Sequence, residues 1–218
     1  VQNTILVMTA LTIVFGSTMA LKTPHIKRRY GFSTISNLSY ILFGIALMTP
    51  AGLAAGLLHM IYHAVLKITL FFCAGAILYQ NHREYAYEIE GFGTKMPMIF
   101  LSMTIVSVGM AGIPPFAGFH SKFALGTAAV ETGNYFAYIG IAALIISALL
   151  TTMYLFDLII KAYFPIKKEY PAWYYDGVAD PNKLMTVPLL VLSAISIIIG
   201  LYPKPFMQIF DAIAQGIL

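Results

Sequence analysis

Three ionisable side chains, His59, His63 and Lys67, recur at intervals of four inside an otherwise apolar stretch from Gly52 to Tyr79. At about 3.6 residues per turn, that spacing puts them on one drifting face of a helix, each about 6 Å further along its axis. An imidazole changes charge near neutral pH, and an amine taken out of water can also exchange its proton. With water in reach, such a polar stripe is a proton relay. An ammonium at the centre of a bilayer costs roughly 2.5 to 3.5 kcal/mol, so Lys67, deep in its apolar stretch, is expected to be kept for function.

A second lysine, Lys122, follows the run AGIPPFAGF, Ala111 to Phe119. Pro114 and Pro115 remove backbone donors and clash with the preceding turn, while Gly112 and Gly118 allow unusual torsions. A helix broken at membrane depth leaves carbonyls that need partners other than lipid, and such breaks line cavities or ion sites. The plainer alternative is that Lys122 snorkels to an interface and the proline pair closes a loop. The remaining candidates are weaker. Glu131 is a solvated carboxylate or an external gate. Asp157, four residues before Lys161, makes an ion pair or a gate for proton exit. His25 and Lys27 mark topology, with Lys27 a candidate cytoplasmic gate. A pair of histidines four apart can bind zinc, but no third ligand is evident, and two histidines on one face of one helix cannot clamp a haem iron. No metal site, cofactor site, nucleophile and base pair or phosphate loop is therefore predicted. The single Cys73 lies in an apolar run and reads as a packed thiol.

The elements that must position these groups are membrane spans. Of the 218 residues, 59% are hydrophobic and only 10% charged, with a mean hydropathy of +0.80, which excludes a soluble globular composition. A crossing helix needs about 20 apolar residues. The predicted fold is all-α, a polytopic membrane bundle of about six spans: 2–21, 33–50 with Pro50 ending it, the Gly52–Tyr79 helix, 96–131, 134–164 and 184–202. A continuous helix over 96–131 would extend ~54 Å, well beyond the bilayer, so this span is expected to be discontinuous at GIPPFAGF. The connectors at 22–32, 80–95 and 165–183 carry most of the Lys and Arg and are placed in the cytoplasm by the positive-inside rule. Residues 203–218 have apolar groups at helical spacing and are expected to lie along the membrane surface. The chain begins with Val, without a cleavable signal pattern, and is expected to be a fragment or one piece of a split protein.

The ordered runs HIKRRYGFSTISNLSYILFG (25–44), HMIYHAVLKITLFFCAGAI (59–77), GFGTKMP (91–97) and MAGIPPFAGFHSKFAL (110–125) closely resemble the second half of antiporter-like subunits. These large membrane subunits are shared by respiratory complex I, membrane-bound energy-converting hydrogenases and Mrp cation/proton antiporters. The resemblance implies two inverted five-helix repeats, of which residues 1–164 would be the second. Residues 165–218 would be an interfacial connector, a C-terminal transmembrane helix and a short surface helix. It also implies that Lys67 is the central channel lysine, that His59 and His63 are the histidines preceding it, and that Lys122 is the ionisable residue on the broken helix. Lys27 matches the lysine of a DxKR signature, whereas His25 stands where the family usually has Asp. The first repeat, with its Glu and Lys, would come from another chain or segment, and this chain alone is not expected to transport.

The reading that follows is translocation of ions, protons foremost, by a subunit without chemistry of its own. It would serve a larger oxidoreductase of NADH dehydrogenase or hydrogenase type, or an antiporter complex, in the prokaryotic inner or plasma membrane. Its partners would be other membrane subunits and the lipid bilayer, not nucleic acid. The alternatives are Na⁺ in place of H⁺, a structural or assembly subunit that conducts nothing, and a quinone-reactive redox subunit, for which no site is visible.

Overall fold

A computed structural model describes residues 1–165 and 170–217. Lys167 and Lys168, within the 165–183 connector, lie outside the described residues. The described chain is a helix bundle: α1 (Gln2–Lys22), α2 (Ile26–Ala46), α3 (Pro50–Asn81), α4 (Pro97–Ala111), α5 (Ala117–Glu131), α6 (Tyr135–Tyr163), α7 (Lys183–Leu201) and α8 (Lys204–Ile217). Helices α1, α3, α6 and α7 are long and apolar enough to cross a membrane. Helix α2 has the length, at 21 residues, but its basic first turn and its hydroxyls lower its hydropathy. Helices α4 and α5, 15 residues each, are each too short for a crossing of ~20 residues and form the discontinuous element between them. The chain is thus an all-α membrane helix bundle, and the six expected spans map onto α1, α2, α3, the α4–α5 pair, α6 and α7.

Two boundaries differ from the sequence reading. Pro50 does not end the second span; it is the first residue of α3, where a missing N–H costs nothing because first-turn donors have no partner within the helix. Thr49 caps that turn, its hydroxyl accepting from Gly52 N at 3.0 Å. The basic segment before residue 33 is not an open connector either. His25 caps α2 and Lys27, Arg28 and Arg29 are helical, because a capped start lets the helix take in residues that hydropathy alone would leave outside. The turn between α2 and α3 is pinched: a Cβ at Gly44 would stand 2.7 Å from Gly52 O, and one at Gly52 2.6 Å from Gly44 O. Only glycine permits that approach.

The connectors meet at one end of the bundle. Ile26 N donates to Glu84 O and Ala86 N to Pro24 O, both at 2.9 Å, and Gly91 N donates to Lys161 O at 3.0 Å. Tyr174 Oη donates to Glu88 O at 2.9 Å, and the Asp180 carboxylate accepts from Met98 N and Ile99 N, at 3.0 and 3.2 Å, capping α4. At the other end Gln2 Nε2 donates to Ala46 O and Leu47 O, each at 3.0 Å, and Asn134 Nδ2 donates to Asn3 Oδ1 at 2.8 Å. The basic connectors therefore share one end of the bundle, as an even number of crossings between them requires. Cysteines placed at the exposed Tyr87 and Trp173 are expected to react with an impermeant thiol reagent from the same side, and one at the exposed Tyr135 from the opposite side. Opposite labelling of Tyr87→Cys and Trp173→Cys would break this topology.

Candidate functional site: a buried lysine and histidine chain across a broken helix

Lys67 is 5% exposed, at the middle of α3. Its Nζ donates to Tyr30 O on α2 at 3.0 Å and stands 5.5 Å from the centroid of the Tyr30 ring. Thr34 Oγ1 donates to the same carbonyl at 2.9 Å. Among the described residues the ion pairs join His25 to Glu84 and Asp157 to Arg29 and Lys161, so Lys67 and Lys122 have no carboxylate partner. That matters chemically. A carboxylate would pin the ammonium form, whereas a carbonyl and a π face stabilise the charge more weakly and leave the proton exchangeable.

The histidines stack along α3 and on into α2. The His59 and His63 ring centroids are 6.0 Å apart with planes at 19°, and Tyr40 stacks on His59 at 5.1 Å and 25°. His59 Nδ1 lies 2.9 Å from Ser121 Oγ on α5. His59 Nε2 and His63 Nδ1 are buried without a hydrogen-bond partner. Unpaired buried nitrogens are unusual. Ring contacts do not carry protons by themselves, so transfer along this stack requires bridging water.

Lys122 completes the set from across the break. Helix α4 ends at Ala111, with Gly112 at φ +87°, a left-handed cap that a side chain would strain. In a continued helix the Met110 and Ala111 carbonyls would accept from the N–H groups of residues 114 and 115. Both are proline and have none. Lys122 Nζ takes those places, donating to Met110 O at 2.6 Å and Ala111 O at 3.2 Å. It also stands 5.8 Å from the Tyr40 ring centroid. The lysine turns back into the break in place of snorkelling outwards. It sits in the second turn of α5.

His63, His59, Tyr40 and Lys122 thus form a contiguous series that sequence spacing alone does not bring together. Tyr40 and Ser121 lie in the quoted runs but carry no spacing signal that marks them, because their partners are on other helices. Other candidates fall at the two ends. Glu131 is exposed at the end of α5, and an open groove between α5 and α6 runs from Lys122 past Gly126, Thr127 and Val130 to it. Asp157 is bound twice, by Arg29 Nη1 and Lys161 Nζ, both at 2.8 Å. Arg29, 4% exposed, further donates to Thr23 O and Tyr154 O, both at 2.9 Å, so this cluster ties α2 to α6. Lys27 lines a small cleft with His25, Arg83 and Glu84. His25 Nε2 is 3.4 Å from Glu84 Oε2, so a carboxylate from another connector stands beside the histidine. The α2 hydroxyls serve packing, as in the buried triad where Ser17 Oγ lies 2.8 Å from Ser36 Oγ and 2.5 Å from Ser147 Oγ. Cys73 is fully buried.

A helix bundle broken within an apolar segment, with amines that have no carboxylate partner among the described residues, is the class of architecture seen here. Residues 1–151 match the family model described as NADH:quinone oxidoreductase/Mrp antiporter, transmembrane, and the chain belongs to that family. It is 30% identical over 216 residues to the NADH-quinone oxidoreductase subunit N of Desulforudis audaxviator, covering 95% of this chain and 42% of the relative. The fold superimposes on a chain of the membrane-bound sulfane sulfur reductase, an archaeal respiratory membrane complex, with TM-score 0.87 and 29% identity over 98% of this chain and 42% of that one. A chain of the Mrp complex from a Dietzia species shares the fold, with TM-score 0.83 and 21% identity over 97% of this chain and 46% of that one. The chain therefore spans less than half the length of the relatives it matches.

Proposed function

We propose that this chain is an ion-translocating unit, carrying protons through Lys67, His63, His59 and Lys122, within a larger redox-driven or antiport assembly of a prokaryotic inner or plasma membrane. The observation that carries the reading is the placement of two amines without carboxylates among the described residues, one buried on α3 and one half-buried on α5, held by the freed carbonyls of the α4 break. A subunit serving only as scaffold gains nothing from the cost of burying them. Lys27 and Asp157 are the gates of this reading at the basic end and Glu131 at the other. Residues 1–164 act as one five-helix repeat, completed by a first repeat on another segment or chain, and residues 165–218 add a connector, a crossing helix and a peripheral helix. Other membrane subunits supply the energy.

The test is transport by the intact assembly in sealed vesicles, with a pH-sensitive dye and ²²Na⁺ uptake measured side by side. Proton movement abolished by a protonophore and independent of Na⁺ is the expected result. Obligatory Na⁺ uptake would assign the sodium alternative, and an unchanged rate when both lysines are replaced would assign the scaffold role.

A further inference from the structure

Ser121 belongs to none of the groups given a role above, yet its hydroxyl is, among the described residues, the hydrogen-bonded link between His59 and the helix that bears Lys122. It is fully buried. We propose that Ser121 is a positioning residue that sets the tautomer of His59, leaving Nε2 as the open nitrogen through which a proton enters and leaves the ring. The inference rests on the relay reading and adds a residue and a direction to it.

The hydrogens available at the site decide the tautomer. A serine hydroxyl has one proton to give and lone pairs to accept with. Ser121 Oγ lies 3.3 Å from Gly118 O, a carbonyl that can only accept, so the serine proton is directed there. Towards His59 Nδ1, 2.9 Å away, the same oxygen can then only accept, which places the imidazole N–H on Nδ1. A neutral imidazole carries one N–H, so Nε2 holds a bare lone pair. The opposite arrangement fares worse: a serine donating to Nδ1 would put the N–H on Nε2, a donor buried with no acceptor, and would forfeit the bond to Gly118 O. A protonated ring keeps its Nδ1–H on Ser121 while it gains and loses the second proton at Nε2. Stacking on Tyr40 and His63 holds the plane of the ring, and Ser121 fixes its rotation within that plane.

The experiment uses the intact parent assembly in native vesicles and reads the initial transport rate together with the amount of assembled complex. Ser121→Ala removes one oxygen and is expected to assemble normally and to pump about fivefold more slowly, the worth of one hydrogen bond. Ser121→Thr, which keeps the hydroxyl, is expected to recover most of that rate. On a His59→Gln background Ser121→Ala is expected to add nothing, because it acts through His59. In ¹⁵N-histidine spectra, with His59→Gln used to assign the signal, His59 is expected as the Nδ1–H form, changing to a mixture or to Nε2–H in Ser121→Ala. A wild-type rate in Ser121→Ala, an unchanged His59 signal, or an undiminished loss on the His59→Gln background would each overturn the proposal. Transport by His59→Gln at the unmutated rate would instead remove His59 from the relay, and the tautomer signal would still decide the role of Ser121.

Discussion

Lys67→Ala is expected to lower transport by the parent assembly by ~100-fold or more, the scale of deleting a positioned proton carrier, with the assembled complex still present. The side chain donates one hydrogen bond, to Tyr30 O, which Thr34 Oγ1 also satisfies. Its removal therefore leaves no orphaned carbonyl and trades a buried charge for a small apolar group. Assembly should tolerate that exchange while the central charge of the relay is gone. Lys67→Arg separates charge from proton exchange. A guanidinium keeps the positive charge but does not release its proton at attainable pH, so this variant should transport as poorly as alanine although its charge is native. Initial rates of dye quenching, normalised to the amount of complex on native gels, give the comparison. Native transport by the arginine variant would sink the proton-carrier role of Lys67.

Lys122→Met is expected to block transport almost as completely. Methionine has about the length of lysine and fills the same space, but it cannot donate to the Met110 and Ala111 carbonyls, which prolines 114 and 115 have already deprived of their helical partners. Leaving such acceptors unpaired costs roughly 1 to 3 kcal/mol each, so some loss of thermal stability should accompany the loss of transport. Lys122→Glu distinguishes the two effects. A carboxylate facing two carbonyls is repelled by them, whereas the protonated acid can donate to one, so the variant should favour the neutral acid and keep partial activity. The expected drive is electrostatic: a proton passed along the histidines towards Lys122 disfavours a second positive charge beside it and promotes release along the groove towards Glu131. Paired measurements of transport and of the melting temperature of the assembly decide the matter. Unmutated transport by Lys122→Met would remove Lys122 from the path, whatever the stability.

The membrane class, the His59, His63 and Lys67 stripe and the break at residues 112–116 were all legible along the chain, because each depends on interactions between near neighbours. Hydropathy over about 20 residues decides solvent, a period of four decides which side chains share a helix face, and two adjacent prolines cannot donate wherever they stand. Boundaries were less legible. Pro50 reads as a stop in hydropathy but acts as a start, since Thr49 caps the turn it opens and the same residue type suits either role. What only the tertiary structure decided is what each polar group faces. Lys122 could have reached for the interface; folding of α5 back onto α4 put the two carbonyls without donors within its reach instead. Asp157 has a partner visible in the sequence, Lys161, but Arg29 joins it from 128 residues away, and Tyr40 and Ser121 approach His59 from α2 and α5. Such pairings depend on how helices pack, and a sequence period describes one helix at a time. The chain by itself therefore determined which groups could exchange a proton and that Lys67 lies deep in its apolar helix, while packing of α2 and α5 against α3 determined where Lys122 points and the order in which the groups meet.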